Sequence, residues 1–374
     1  MHDLVALDLD PGDAFVDALR RAWDDGDAVL PLDRRLPAPA QARLVAALAP
    51  TAVVDAQGRR RLDGGRPVEA GDALVVATSG TTGDPKGVVL THDAVAASAT
   101  ATSERLGVDP ASDRWVACLP FAHVGGLAVL TRALVTGTPV EVHERFDPAR
   151  VEDAAHRGAT LVSLVAAALG RTDASGYRAV LLGGAAPPAG LAPNVVTTYG
   201  MTETGSGVVY DGVPLAGTEV RIGDGTLGGD GEVLVRGPTL LRAYRDGTRP
   251  FLAGGWLPTG DSGYLDDGRL VVHGRLAEVV VTGGEKVWPG TVERVLVGLP
   301  SVAEAAVWKR PDPRWGERVV AWVVPADPDS PPTLGEVAEA VRAELAPWAA
   351  PKELEVRASL PRTPTGKVRR RDLA

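Results

Sequence analysis

The chain has 374 residues, which exceeds the length of an average domain and predicts two domains. Its hydrophobic content of 45% is sufficient for a large core, and its formal net charge of −9 argues against a nucleic-acid-binding surface, which would have to attract phosphate backbones. The single cysteine, Cys118, excludes internal disulfides and a cysteine-based zinc cluster, and we expect it to be a buried small apolar side chain.

The N-terminal segment has neither a basic region nor an apolar stretch of the kind found in secretory signals. The longest apolar run, around Leu161–Leu169, is too short to cross a bilayer. The sequence therefore predicts a soluble cytoplasmic protein without membrane insertion.

The first two hundred residues alternate short apolar runs with amphipathic segments. The predicted helices are 13–23, 39–49, 91–101 (capped by Thr91 or Asp93), 124–135 and 148–156. The predicted strands are 28–32, 51–55, 73–77, 88–90, 115–119, 140–143, 161–165 and 179–182. Strands without polar alternation, each followed by a helix, predict an α/β fold with a largely parallel sheet covered on both faces.

From Gly205 onward the sequence pattern changes, and short β segments separated by glycines follow at 219–222, 232–235 and 270–272. This pattern predicts a small antiparallel or barrel-like section. Gly223–Gly228 matches the dinucleotide-binding pattern Gly-x-Gly-x-x-Gly, but a strand and not a helix is expected after it, so we interpret it as a hairpin turn. The last hundred or so residues predict a separate α+β unit. Its expected strands are 278–282, 305–308 and 319–324, its expected helices are 289–297 and 334–345, and its boundary lies at 273–278.

The stretch Thr78–Gly87 carries the strongest chemical signal, since it combines three glycines, four hydroxyl side chains and Lys86. These groups suit a loop that folds over a polyphosphate. It is not a Walker A motif, because Asp84 and Pro85 separate Gly83 from Lys86.

Four further stretches have residues suited to nucleotide chemistry: Tyr199–Thr204, Trp256–Asp261, Gly274–Arg275 and Pro364–Lys367. Glu203 is a hard oxygen ligand suited to Mg²⁺, and Asp261 is able to accept from both ribose hydroxyls. In this order, and together with Thr78–Gly87, the stretches resemble the adenylate-forming superfamily of acyl-CoA synthetases, peptide-synthetase adenylation domains and firefly luciferase. The resemblance extends from about Ala73 to Leu373.

The resemblance implies a two-step reaction in which a carboxylate attacks MgATP to give an acyl-adenylate, and a thiol, usually that of coenzyme A, then displaces AMP. It implies that Glu203 binds Mg²⁺ and that Lys367 bridges the reacting carboxylate and the α-phosphate. The implied ATP-binding residues are Thr78, Ser79, Gly80, Thr81, Thr82, Gly83 and Lys86 at the β- and γ-phosphates, Thr202 at the α-phosphate, Gly183, Gly184, Ala185 and Tyr199 around the adenine, and Asp261 and Arg275 at the ribose. Gly200 and Lys367 complete this set.

The resemblance also implies a large N-terminal domain of stacked sheets, residues 1–273, a hinge at 274–277, and a mobile C-terminal domain, residues 278–374. The C-terminal domain would swing between the two steps and bring Gly283 and Gly284 to the pantetheine chain. His123 matches a position that lines the acyl pocket and thiol tunnel, although a packed core histidine is the alternative reading. Trp315 is a weaker candidate for contacting coenzyme A.

Two departures from the family pattern stand out. The usual hinge residue after Leu276, often Asp or Lys, is Ala277. Fewer than 80 residues precede the loop, where family members carry more, so a substantial N-terminal portion is expected to be missing.

Within the superfamily, the runs 181–184 and 199–214 and the short N-terminus look most like the o-succinylbenzoate–CoA ligases of menaquinone biosynthesis. That acid has two carboxylates, and the one that is not activated needs a cation or hydrogen-bond donors. Arg132, Ser206, Thr204 and His123 are the candidates, and the sequence does not choose among them.

The alternatives are another aryl- or fatty-acyl-CoA ligase, an enzyme that loads a carrier protein, and a non-catalytic adenylate-binding protein. The presence of Lys367 and Glu203 argues against the last. The expected partners are a small carboxylic acid, ATP and coenzyme A, with a homodimer as a further expectation.

Overall fold

The computed structural model describes residues 2–79, 85–223, 230–362 and 368–373. The chain separates into two compact units. The first takes in residues up to 220, 235–257 and 267–270, and the second takes in 221–234, 258–266 and the residues from 271 onward.

The helices and strands follow the chain in this order. The α-helices are α1 (Asp13–Asp24), α2 (Ala38–Leu48), α3 (His92–Leu106), α4 (Val124–Thr136), α5 (Pro148–His156), α6 (Ala166–Leu169), α7 (Pro289–Val297) and α8 (Leu334–Glu344). The strands up to residue 214 are β1 (Leu4–Leu7), β2 (Ala28–Pro31), β3 (Ala52–Asp55), β4 (Gly58–Arg61), β5 (Asp72–Ser79), β6 (Pro85–Thr91), β7 (Trp115–Ala117), β8 (Val140–Val142), β9 (Leu161–Val165), β10 (Ala179–Gly183), β11 (Val195–Met201), β12 (Ser206–Tyr210) and β13 (Val213–Pro214). The remaining strands are β14 (Glu219–Ile222), β15 (Gly231–Arg236), β16 (Ala243–Tyr244), β17 (Leu257–Asp266), β18 (Arg269–Arg275), β19 (Val280–Thr282), β20 (Glu285–Val287), β21 (Val302–Asp312), β22 (Gly316–Pro325) and β23 (Glu353–Val356).

The first unit contains two seven-stranded sheets with parallel centres; the first has antiparallel pairing at both edges and the second at one edge only. The first sheet has the order β16-β6-β5-β2-β1-β3-β4, and the second has the order β13-β12-β11-β10-β9-β7-β8. Strands β5, β2, β1 and β3 run parallel to one another, as do β11, β10, β9, β7 and β8. The predicted α/β fold with mainly parallel sheets is confirmed.

One apolar core joins the two sheets of the first unit through the helices between them. It combines Val76 of the first sheet and Leu181 of the second with Val95 of α3 and Leu127 of α4. Because both faces of the central strands are covered, these strands are continuous apolar runs, which explains the pattern seen in the sequence. Cys118 is buried as expected, and its burial raises the pKa of its thiol to about 12.

The glycine-rich section after residue 214 forms a four-stranded sheet, most of whose residues belong to the second unit, in the order β14-β15-β17-β18. Gly223 follows the last residue of β14, and its N–H donates to the carbonyl of Glu232 in β15 at 2.8 Å. A strand and not a helix therefore follows the Gly-x-Gly-x-x-Gly match, as predicted.

The second unit also contains an α+β fold from residue 276 to the C-terminus. Its sheet has the order β20-β19-β22-β21, and β23 pairs with β22 in parallel. Helices α7 and α8 cover the sheet through Val292, Leu296 and Val337. The side chain of Thr333 accepts from the N–H of Glu336 and the carboxylate of Glu336 accepts from Thr333, a capping box that begins α8.

Most predicted helices and strands agree with the structure within two residues; the exceptions are α3, β6, β18, β21 and β22, which are longer than predicted. Thr91 and not Asp93 caps α3, since its hydroxyl accepts from Ala94 N–H at 3.1 Å, and α3 continues to Leu106, where Gly107 ends it with φ of +57°. The predicted strand 278–282 begins only at Val280, because Leu276–Glu278 is a short 3₁₀ helix. Helix α6 and strands β1, β4, β11, β12, β13, β16, β17, β20 and β23 were not predicted from the sequence.

Candidate active site

The predicted phosphate-binding loop connects two antiparallel strands, β5 and β6. Thr78 pairs with Lys86 across them, and the hydroxyl of Thr78 donates to the carbonyl of Lys86 at 3.4 Å. Gly80, Thr81, Thr82 and Gly83 lie outside the described residues, as does the side chain of Ser79. The strand pairing thus holds both ends of the loop, with the Lys86 side chain exposed beside it.

Gly87 is needed for packing and not for turning. A Cβ at this position would lie 2.8 Å from side-chain atoms of Leu48 and Val75 and 2.9 Å from the Cβ of Arg245. The backbone of β6 therefore passes so close to Leu48 of α2, to Val75 of β5 and to Arg245 that only glycine fits. This contact fixes the position from which Lys86 extends.

The Tyr199–Thr204 motif begins on strand β11 and ends in a 3₁₀ turn. A bulge between Tyr199 and Gly200 interrupts the pairing with β12, and a Cβ at Gly200 would lie 2.1 Å from the carbonyl oxygen of Ser206. The turn Thr202–Thr204 is closed by the buried hydroxyl of Thr204, which lies 2.9 Å from Met201 N–H and 2.7 Å from the carbonyl oxygen of Ser206. The Thr204 side chain thus holds the shape of the turn that presents Thr202 and Glu203.

Glu203 and Lys86 meet at a third side chain, Tyr244, which the sequence analysis did not single out. The Tyr244 hydroxyl donates to Glu203 Oε1 at 2.9 Å, and Lys86 Nζ lies 5.3 Å from the centroid of the Tyr244 ring. Burial, followed by the charge and hydrogen bond of Glu203, raises the pKa of Tyr244. Tyr244 thus contacts a cation with its ring and a carboxylate with its hydroxyl.

The donor set around Glu203 fits Mg²⁺ bound through phosphates. In the described part of the chain, no three His, Cys, Asp or Glu side chains are grouped so that they could hold a metal ion. A protein-enclosed metal site is thus not formed by these residues, whereas Mg²⁺ commonly uses one or two carboxylates together with substrate phosphates and water. Glu203 supplies one carboxylate, which is enough for an Mg²⁺ ion whose other ligands are phosphates and water.

The predicted adenine-binding turn, Gly183–Ala185, lies at the carboxyl end of β10, next to the strand that carries Tyr199. Leu182 pairs with Thr197 in the parallel ladder, and the Thr198 hydroxyl donates to the carbonyl of Leu182 at 3.2 Å. A Cβ at Gly183 would lie 2.6 Å from Thr198 Oγ1, so glycine permits this approach. The carboxyl ends of neighbouring parallel strands are where α/β sheets bind ligands, and the structure brings both predicted adenine elements there.

His123 immediately precedes α4 and belongs to a small charged cluster. Its Nε2 lies 2.9 Å from Arg35 Nη2 and 3.4 Å from Asp33 Oδ2, and its side chain is 39% exposed. Burial alone would raise the pKa of Asp33, but the hydrogen bonds and charge of Arg35, with the charge of His123, hold that pKa below its ordinary value. Neither Asp33 nor Arg35 was predicted, because both lie far from His123 in the sequence. The alternative of a packed core histidine does not fit this exposure.

Arg132, on α4, is a buried cation with incomplete pairing. Its side chain is 2% exposed, its Nη2 donates to Ser206 Oγ at 3.5 Å, and its guanidinium lies 4.9 Å from the Trp115 ring centroid. Within the described residues, Nε and Nη1 have no hydrogen-bond acceptor. Burial lowers the pKa of this guanidinium. A narrow crevice lined by Arg132, Thr131, Leu127 and Gly205 lies beside it.

In the second unit, the two predicted ribose ligands pair with each other. Arg275 Nε lies 3.0 Å from Asp261 Oδ1, and Arg275 Nη1 donates to the carbonyl of Thr259 at 2.9 Å. Asp261 is 6% exposed on strand β17, and its N–H donates to the Thr259 hydroxyl at 3.1 Å. The structure thus places these two residues side by side.

The predicted coenzyme A elements also lie together in the second unit. Gly283 and Gly284, with φ of +61° and +87°, form the turn between β19 and β20. Gly283 N–H donates to the carbonyl of Trp315 at 2.8 Å, and Arg314 lies 4.6 Å from the Trp315 ring centroid. Trp315 is 39% exposed, so an aromatic surface and a cation adjoin the glycine turn. Lys367 lies outside the described residues.

Two family models match the chain. The model described as AMP-binding enzyme matches residues 41–245, and the model described as AMP-binding enzyme C-terminal domain matches residues 291–367. Among the described residues, no helix is both long and apolar enough to span a membrane.

Relatives and solved structures agree with one another. A probable 2-succinylbenzoate–CoA ligase from Mycobacterium tuberculosis is 42% identical over 332 residues, which cover 82% of this chain and 85% of that one. A 2-succinylbenzoate–CoA ligase from Bacillus cytotoxicus is 36% identical over 80% of this chain and 69% of its own. The Bacillus subtilis o-succinylbenzoate CoA synthetase in complex with its acyl-adenylate intermediate superimposes with a TM-score of 0.86 at 28% identity, over 99% of this chain and 88% of that one. The same enzyme in complex with ATP and magnesium gives a TM-score of 0.87 at 28% identity, over 99% and 89%.

Proposed function

Because the chain belongs to the AMP-binding enzyme family, we propose that it is an AMP-forming acid–CoA ligase that acts on o-succinylbenzoate in menaquinone biosynthesis. The ligase activity follows from the family and from relatives that carry this name at 36% and 42% identity. The same fold in complexes with ATP and with the acyl-adenylate supports both the nucleotide and the intermediate.

The proposed reaction has two steps. An oxygen of the succinyl carboxylate forms a bond to the α-phosphorus of ATP, and the bond from that phosphorus to the bridging oxygen breaks, releasing pyrophosphate. The coenzyme A thiol then loses its proton, its sulfur bonds to the acyl carbon, and AMP leaves with the oxygen of the broken acyl–oxygen bond. The first step brings an anion towards a highly charged nucleotide, so cations and hydrogen-bond donors must offset that charge.

We propose roles in this scheme for residues of the first unit, as the family resemblance implies them. Lys86 and Thr78 would hold the terminal phosphates, Thr202 would donate to the α-phosphate, and Tyr199 would lie beside the adenine. Glu203 would hold Mg²⁺, which when bound neutralises phosphate charge.

Residues of the second unit would contribute to both steps. Asp261 would accept from the ribose hydroxyls, with Arg275 orienting its carboxylate at 3.0 Å. Lys367 would bring a positive charge to the reacting carboxylate. Gly283, Gly284 and Trp315 would receive coenzyme A, with the exposed Trp315 ring available for stacking on its adenine. A hinge at 274–277 and a C-terminal domain over 278–374 are part of this proposal.

The observation that carries the choice of acid is the buried, incompletely paired guanidinium of Arg132 beside Ser206. A buried cation without acceptors costs several kcal/mol, roughly, and an anionic ligand that accepts from Nε and Nη1 would offset this cost. A monocarboxylic acid uses its only carboxylate in the reaction and would prefer an apolar pocket. A dicarboxylic acid such as o-succinylbenzoate has a second carboxylate for Arg132.

Release of pyrophosphate from ATP, measured over a panel of acids with and without coenzyme A, tests the proposal. We expect o-succinylbenzoate to give pyrophosphate, and mass spectrometry to detect its CoA thioester only when coenzyme A is present. Turnover of benzoate or a fatty acid without turnover of o-succinylbenzoate would exclude this substrate and identify a different acyl-CoA ligase. Transfer to a carrier protein but not to coenzyme A would identify a loading enzyme.

Two further parts of the proposal concern the protein in the cell. We propose a homodimer and a cytoplasmic location. Light scattering coupled to size-exclusion chromatography tests the first, and fractionation of cells that express the protein tests the second.

A further inference from the structure

Tyr244 lies beside Lys86 because of strand register and not because of sequence proximity. The two-residue strand β16 pairs antiparallel with β6, and Tyr244 is opposite Val88. Lys86 is two residues before Val88, on the same face of β6, and is therefore a diagonal neighbour of Tyr244. The 5.3 Å distance from Lys86 Nζ to the ring centroid is the result.

The other end of Tyr244 holds the carboxylate of Glu203. The hydroxyl donates to Glu203 Oε1 at 2.9 Å, and Leu241 N–H donates to the Glu203 carbonyl at 2.8 Å. The segment that carries β16 thus contacts Glu203 through both backbone and side chain.

A lysine and a glutamate that meet directly form an ion pair, in which each charge satisfies the other. Tyr244 contacts both side chains: its ring presents its negative face to the Lys86 cation, and its hydroxyl donates to the Glu203 carboxylate. We propose that Tyr244 is a positioning residue that keeps Lys86 and Glu203 apart, so that Lys86 is available to the nucleotide phosphates and Glu203 to their Mg²⁺. This inference rests on the proposed function, since it requires that the chain bind MgATP.

Equilibrium binding of ATP, followed calorimetrically in EDTA and at increasing Mg²⁺, separates the two contacts without measuring activity. Tyr244→Phe keeps the ring and removes the hydroxyl, so we expect the Mg²⁺ concentration for half-maximal ATP binding to rise about tenfold, while metal-free ATP binds as in the wild type. Tyr244→Leu removes both contacts and lets Lys86 and Glu203 pair, so we expect it also to weaken metal-free ATP binding by about tenfold.

The matched control is Tyr177→Phe. The Tyr177 hydroxyl donates to the Val151 carbonyl at 2.5 Å, in the first unit but outside the site, and this substitution removes that hydrogen bond. It should leave the Mg²⁺ dependence unchanged. In a Glu203→Gln background, Tyr244→Phe should have no further effect on that dependence. An unchanged Mg²⁺ requirement in Tyr244→Phe would overturn the inference, as would a further effect in the Glu203→Gln background. Failure of the wild type to bind MgATP would instead overturn the proposed function.

Discussion

At the scale of single residues, the environment of the Arg132 side chain is the strongest indication of which acid the protein binds. It lies on helix α4 beside a narrow crevice, with one weak donor contact to Ser206 and its guanidinium against the Trp115 ring. A cation that only stabilised the fold would be expected to have a carboxylate partner, as Arg178 has in Asp113. Arg132 has none among the described residues, which favours a role in binding an external anion.

Arg132→Met tests that role. We expect kcat/KM for o-succinylbenzoate to fall about 100-fold, because the second carboxylate loses its cation. The unfolding temperature of the ligand-free protein should not fall, because the substitution removes an uncompensated buried charge. Arg105→Met, at an exposed arginine 3.8 Å from Asp211, is the control and should change neither quantity appreciably. A large loss of stability in Arg132→Met would indicate a structural arginine.

At the scale of helices and strands, close backbone approaches and buried ion pairs place the functional groups. The start of α4 is an example, because His123 precedes the helix and two glycines follow in its first turn. Gly126 N–H donates to the His123 carbonyl at 3.1 Å, and the Gly126 backbone lies against the carbonyl groups of Leu119 and Pro120. The backbone at His123 is thus held by a contact that only a glycine permits.

The neighbouring glycines of α4 predict opposite effects on stability. A Cβ at Gly126 would lie 2.4 Å from the Leu119 carbonyl oxygen and 2.5 Å from that of Pro120, so Gly126→Ala should lower the free energy of unfolding by about 1–3 kcal/mol. A Cβ at Gly125 would meet only Leu119 Cδ1, at 4.0 Å, so Gly125→Ala should raise it by about 0.5–1 kcal/mol. Denaturant unfolding measures both, and equal effects would contradict the packing described for this turn.

Asp113 ties the beginnings of three strands together and predicts a pH dependence. It accepts from Thr160 Oγ1 at 2.7 Å, next to β9, and from Arg178 Nη2 at 2.6 Å, next to β10, while Trp115 begins β7 two residues later. Burial opposes ionisation, but the hydrogen bonds of Arg178, Thr160 and Asp109 outweigh it and hold the pKa of Asp113 below its ordinary value of 3.8.

A pKa lowered by folding adds stability that is complete above the unfolded value and is lost as the pH falls towards the folded one. The wild type should therefore lose stability on acidification from about pH 5 to about pH 3, and Asp113→Asn should lose less over the same interval. Thermal unfolding at a series of pH values measures the difference. Parallel curves for the two proteins would show that Asp113 does not contribute to the acid response.

At the scale of the whole molecule, the predicted site residues are divided between two units. Lys86, Glu203 and Arg132 belong to the first unit, and Asp261, Arg275 and Trp315 belong to the second. The predicted hinge at 274–277 and the swing of the C-terminal domain stay predictions, and both can be tested through the two half-reactions.

Lys367→Ala is the variant that separates the half-reactions. We expect adenylate formation, measured by pyrophosphate exchange, to fall about 100-fold or more because a charge is removed from the transition state. Thioester formation from supplied acyl-adenylate should change less than about threefold, because a swung domain no longer uses this lysine. Lys352→Ala, at an exposed lysine of the same unit, is the control. Equal losses in both half-reactions would contradict the domain swing.

The sequence by itself determined the chemistry and most of the element order. A glycine- and hydroxyl-rich loop with Lys86, a Glu203 motif and a C-terminal Lys367 are local patterns, and local patterns are retained when the chain folds. Apolar periodicity likewise predicted most helices, since the apolar residues of a helix's packing face recur every three or four positions in the sequence.

Only the tertiary structure decided which side chains meet. Tyr244 reaches Lys86 and Glu203 through strand pairing, Asp33 and Arg35 reach His123 across about ninety positions, and Arg132 is buried beside Ser206 with Nε and Nη1 left without acceptors among the described residues. These contacts join residues far apart in the chain, and no local pattern encodes them. Burial and long-range register are properties of the packed fold, and they create the environment of Arg132 on which its proposed role rests.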